Sequence, residues 1–154
     1  MPIQLDTTSE QNILNMLMDQ SVISIDQMSK IKSMSKEIGK SRLETAFELN
    51  LTDEKKIIEI LSKSYSLDTV DLKKYKINDK LKKIVPLDYI RSNTLVPFEI
   101  ANGILKIAIP DASKLSLMKN LKTMTKMDPE LYAATISDIG DFITRMSGGE
   151  VKLS

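Results

Sequence analysis

The sequence predicts an α+β protein: a small N-terminal helical bundle followed by a three-stranded sheet with helices packed on one face. Three observations carry this. Four helix-start signals crowd into residues 8–66. Glycine and proline are sparse before Pro86, with only Gly39 and Pro2, and the other four of each lie from Pro86 onward. Finally, Asn102-Gly103 separates two β-type apolar runs, the signal of a tight hairpin.

Taken in order, Thr8 with Gln11, Ser24 with Gln27 and Ser41 with Glu44 each fit a capping box, where the hydroxyl and the later side chain satisfy free backbone donors. Thr52 is read as the cap of a fourth helix, with Asp53 and Glu54 favoured by the dipole of its first turn. Apolar stripes follow at helical spacing: Ile13, Met16 and Leu17; Ile25, Met28 and Ile31; Leu43, Ala46 and Phe47; Ile57, Ile58 and Leu61. Helices this short need partners to be stable. Ser24 and Thr52 hold similar places, which fits either one helix-turn-helix unit used twice or two unrelated hairpins.

Leu67 to Lys76 reads as a polar, extended connector. Asn78 then caps a helix through Leu81, Ile84 and Val85, and Pro86 opens the next. The hairpin strands are read as 95–100 and 104–109, with Pro97 requiring an edge position for the first. A helix follows Pro110-Asp111 through Leu115, Met118, Leu121 and Met124. A third strand is expected over Pro129 to Thr135, and Ser137 is read as the cap of the last helix. The expected organisation is a helical subdomain over 1–66, an α/β subdomain over 67–147 and a flexible tail over 148–154.

Composition excludes much chemistry. The 154 residues are 42% hydrophobic and 28% charged with a formal charge of +1, so no global field steers the chain to nucleic acid. With no Cys there are no disulfides or thiolates, and a cytoplasmic location is expected. With no His, the usual general base and commonest metal ligand is missing. No catalytic residue, metal or cofactor is assigned. Three Phe, four Tyr and no Trp give single-stranded nucleic acid little to stack on. The lysines between Lys73 and Lys83 are interrupted by Asp79 and lack arginine, as a solvated surface would be. Gly39-Lys40-Ser41 resembles the end of a phosphate loop, but Met34 holds the earlier glycine position and the preceding segment is helical.

Several segments carry a resemblance: Ser66 to Leu72, then Ile84-Val85-Pro86-Leu87-Asp88-Tyr89-Ile90, then Leu95-Val96-Pro97-Phe98, then Gly103 to Asp111. In order and spacing these resemble the N-terminal domain of type II secretion and type IV pilus assembly ATPases. Leu17 to Met28 and Ala46 to Glu54 resemble the helical part of that domain. The resemblance implies docking on protein components of a pilus, secretion or motility machine, with the membrane reached only through inner-membrane platform proteins. No Walker motif is present.

One branch of the family binds cyclic di-GMP through a repeated Arg-Leu-Gly, Leu, Gly-x-Ile pattern, and cyclic di-GMP sensing is the alternative reading. Placed on this chain, the pattern falls on Asn12, Leu14, Leu17, Ser21 and Ile23. In the second copy the late glycine falls on Leu49 or Asn50 and the early arginine on Lys40 or Ser41, beside Arg42. Most ligand-binding residue types of the pattern are replaced, so docking is the reading preferred.

Overall fold

The computed structural model describes residues 5–148. Apart from Gly148, the expected flexible tail lies outside them. Four helices come first: α1 (Thr7–Asp19), α2 (Ile25–Ile38), α3 (Arg42–Glu48) and α4 (Glu54–Tyr65). Two short helices, α5 (Asp79–Ile84) and α6 (Leu87–Asn93), lead into strands β1 (Val96–Ala101) and β2 (Ile104–Ile109). A 3-10 segment (Ala112–Leu117) runs into α7 (Met118–Thr125), followed by β3 (Asp128–Ala133) and α8 (Ile136–Met146).

The caps explain where the helices begin. Ser24 with Gln27 and Ser41 with Glu44 form reciprocal capping boxes, and Asn78 caps α5. Three other starts fall on a neighbouring residue. Asp6, not Thr8, caps α1 by accepting from the Ser9 N–H; Asp53, not Thr52, caps α4; and Thr135, not Ser137, caps α8. Where a carboxylate stands near a hydroxyl, as at Asp6 and Asp53, the charged acceptor makes the stronger bond to a backbone donor.

The sheet has the order β1-β2-β3, antiparallel between β1 and β2 and parallel between β2 and β3. Pro97 therefore lies on an edge strand, and the register shifts beside it, between Pro97 and Glu99. The connector before α5 is not a detached linker. Asp68 and Val70 exchange backbone hydrogen bonds with Ala133 of β3, and Leu72 is fully buried in a 3-10 turn.

At the hairpin, Asn102 and Gly103 both have positive φ (52° and 78°), the geometry of a tight two-residue turn. A Cβ on Gly103 would meet nothing within 4 Å, so Gly103→Ala meets only backbone strain. Urea denaturation is expected to show a loss of about 1 kcal/mol, without loss of the fold.

Two hydrophobic clusters divide the chain. One holds Ile13, Leu14, Leu17, Ile31, Leu43 and Leu61 from α1 to α4. The other holds Leu105, Ile107 and Ile109 of β2, with Leu72, Leu121 and Phe142 around them. Ala133, in β3, belongs to the helical cluster, so the sheet edge closes the bundle.

Candidate functional site

The turns after α1 and α3 repeat one backbone design. Ser21 and Asn50 adopt left-handed φ of 59° and 58°. The following N–H groups, of Val22 and Leu51, donate back to Leu17 and Ala46. Ser24 and Asp53 then cap α2 and α4 three residues after Ser21 and Asn50. One offset therefore relates the end of α1, its turn and the start of α2 to the same parts of α3 and α4, while the starts of α1 and α3, capped by Asp6 and Ser41, fall outside it. The matching cap is Asp53; pairing Ser24 with Thr52 is off by one residue. The same offset pairs Leu43 with Leu14 and Asn50 with Ser21, whereas Asn12 lies inside α1 and Ser41 caps α3.

The residues on which the dinucleotide pattern falls take two kinds of place. Leu14, Leu17 and Ile23 are core residues, 0–1% exposed, and Leu43 is 3% exposed. Ligand cannot reach the backbone there without displacing core. Asn12 and Arg42 are half-buried, and Ser21 and Asn50 are exposed at the two turns. The structure thus separates this set: three members line the bundle interior while two cap its turns. Ser21 and Asn50 retain a glycine-like conformation with other side chains, as short polar residues can.

Gly39-Lys40-Ser41 forms a helix stop followed by a helix start. Gly39, at φ 69°, ends α2, its N–H donating to Ser35, while the Ser41 hydroxyl and the Glu44 carboxylate are engaged in the capping box. The segment does border a cavity of about 790 Å3 between the N-termini of α1, α3, α4 and α8. Leu5, Leu43, Phe47 and Ile136 give it apolar walls, and Glu10, Glu44, Glu48 and Glu54 bring carboxylates to it.

Long-range hydrogen bonds build its rim. Glu54 takes the Ser137 N–H at 2.8 Å and its hydroxyl at 2.6 Å, tying the start of α4 to the start of α8. Glu10 accepts from the Leu43 N–H at 3.4 Å, a second acceptor at the start of α3. Lys40 meets Glu48 at 2.8 Å, and this carboxylate raises the lysine pKa above its ordinary value. Sequence reasoning placed Glu44 and Glu54 at helix starts but missed the cavity, because its lining comes from four distant parts of the chain. Among the described residues, no group of three or more acidic or imidazole or thiol side chains could hold a metal ion.

Beside this region, Lys114 of the 3-10 segment is buried and reaches Asp6 at 2.5 Å. Burial opposes ionisation of Asp6, but hydrogen bonds from Lys114 and Ser9 outweigh it, and its pKa is lowered. Asp111, fully buried, is pushed up by desolvation against the opposing bonds from Ser113. Its Oδ2 takes the Ser113 N–H at 2.9 Å, so it serves as a helix-start cap, while its Oδ1 and the Ser9 Oγ are buried without a hydrogen bond.

The MshEN domain family matches residues 65–153. The chain is 27% identical over 131 residues to the type IV pilus assembly ATPase PilB of Myxococcus xanthus, covering 84% of this chain and 23% of that protein. It is 19% identical over 133 residues to the PilB of Thermus thermophilus, covering 85% of this chain and 15% of that protein. It thus spans less than a quarter of the length of these relatives. Its fold is similar to that of MshE with cdg (TM-score 0.61, 18% identity, 87% of this chain and 97% of that chain). It is also similar to the N-terminal domain of XpsE (TM-score 0.63, 19% identity, 88% of this chain and 94% of that chain). No described helix is long and apolar enough to cross a membrane. The chain belongs to the MshEN domain family, the N-terminal domain of type II secretion and type IV pilus ATPases.

Proposed function

We propose that this chain is a non-catalytic docking and regulatory domain of a bacterial pilus, secretion or motility machine, working in the cytoplasm on the machine's protein components. Membership of the MshEN family carries the reading. Two features of the chain support it. The lysine and serine nearest to a phosphate loop are engaged in an ion pair and a helix cap. The absence of His and Cys leaves acid–base and nucleophilic chemistry without its usual groups. The test is co-purification of the tagged chain with the inner-membrane platform proteins and other pilus or secretion components of its own cell. Capture of at least one of them is expected; recovery of none would refute docking.

The fold shared with MshE bound to cdg, together with the glycine-like turns at Ser21 and Asn50, favours a second reading, binding of cyclic di-GMP. Against it stand Leu14 and Leu43, which fill the pattern's early glycine positions with buried side chains. Calorimetry with cyclic di-GMP at high micromolar concentration is expected to give no heat beyond dilution. A saturable exotherm with micromolar affinity would make this the governing function.

A further inference from the structure

We infer that the cavity between the starts of α1, α3, α4 and α8 is a receptor pocket for a basic, partly apolar peptide segment of a protein partner. The inference rests on the docking reading and names the chemistry of the partner. A volume of about 790 Å3 suits one or two long side chains with part of their backbone. Leu43, Phe47 and Ile136 offer apolar surface to an aliphatic stem, while Glu10, Glu44, Glu48 and Glu54 stand against Lys40, the one cation among the described residues of the lining. Lysine and arginine bury an apolar stem and keep the charged head among acceptors, and this combination matches that division of the walls. An anionic ligand would meet a surplus of carboxylates instead, which the positive ends of the helices that start there offset only in part.

The hydrogen bonds on the rim leave this chemistry in place. Glu54 is held by Ser137, Glu44 by the capping box and Glu10 by the Leu43 N–H. Each carboxylate carries about four lone-pair sites, so acceptor capacity remains after these bonds. They also fix the carboxylates in position before a ligand arrives, which lowers the ordering cost of binding. Glu48 differs, because its partner is the exposed Lys40. An incoming guanidinium or ammonium competes with Lys40 for Glu48, and Lys40 is the pocket's built-in rival to the ligand.

That rivalry yields a test with opposite signs. The probe is the fluorescent peptide acetyl-Leu-Arg-Lys-Leu-Arg-Leu-amide, titrated into the whole chain by anisotropy at low salt, with a Glu-for-basic version as control. Lys40→Ala is expected to tighten binding about three- to fivefold by removing a like charge. Glu48→Gln is expected to weaken it by a similar factor, and Glu130→Gln, outside the cavity, to leave it unchanged. The Lys40–Glu48 pair is exposed, so neither variant endangers folding. Three outcomes overturn the inference: no saturable binding to about 1 mM, equal weakening by Glu130→Gln, or binding of spermine as tight as that of the peptide, which would mark a mere polycation sink. Capture of machine components alongside a failed titration would place docking on another face; the reverse would leave the pocket intact and refute only those partners.

Discussion

Phe142→Ala is expected to lower the unfolding free energy by about 3–5 kcal/mol, the range for truncating a fully buried aromatic. Phe142 is 0% exposed, in the middle of α8, within the sheet-side core. The guanidinium of Arg145 lies 4.9 Å from its ring centre and donates to the carbonyls of Tyr75 and Leu72 at 3.0 and 3.2 Å. Removing the ring leaves a cavity and also loosens the arginine that ties α8 to the segment before α5. Small domains have about 5–15 kcal/mol in total, so the variant should lose a large part of its stability. Phe142→Leu, which keeps most of the volume, should cost less than half as much. Urea denaturation followed by far-UV circular dichroism checks both. A loss below about 1 kcal/mol for the alanine variant would contradict the packing of α8.

The elements legible in the sequence were those whose cause is local. Two capping boxes, the Asn78 cap and the Asn102-Gly103 hairpin depend on residues within a few positions of one another, and the structure holds them as read. The misplaced caps at Thr8, Thr52 and Ser137 each had a competing acceptor one or two residues away, and side-chain competition decided between them. At Ser137 the reason is tertiary, since its hydroxyl and N–H both go to Glu54.

Non-local causes stayed hidden. Residues 68–70 look polar and extended, yet they pair with Ala133 at the side of the sheet, and Leu72, just beyond them, is buried in the sheet-side core. Nothing local separates Lys114 from the other basic residues, although it alone among the described lysines is buried. The candidate cavity needs α1, α3, α4 and α8 at once. The degenerate dinucleotide pattern was a different case. Its positions could be aligned from sequence, but the shared turn geometry of Ser21 and Asn50, with the backbone bonds and caps that follow, appears only in three dimensions.

Asp6→Ala is expected to cost about 2–4 kcal/mol, because it leaves the buried ammonium of Lys114 without its ion-pair partner and α1 without its cap. The loss should fall below the upper end of that range for two reasons: the Asp6 side chain is 25% exposed, and the Asp111 carboxylate lies near enough to interact with Lys114. Asp6→Asn keeps an oxygen for the Ser9 N–H and should lose less, so the difference between the two variants isolates the cap. The pH dependence follows from the direction of the shift. The folded pKa of Asp6 is below its ordinary value of 3.8, so its contribution is fully present above that value and is lost as pH falls through the folded pKa. Asp111 runs the other way. Its raised pKa means that its ionised form costs stability at neutral pH, a cost relieved as pH falls through the raised value. At pH 7, Asp111→Asn removes that buried charge and keeps an acceptor for the Ser113 N–H, so it should cost less than Asp6→Asn. Urea midpoints at pH 7 and pH 3 measure all of this: the gap between the native chain and Asp6→Asn should narrow at pH 3. A gap of equal size at both values would show that the Asp6 contribution is not ionic, and that the contact between α1 and the 3-10 segment is held by packing alone.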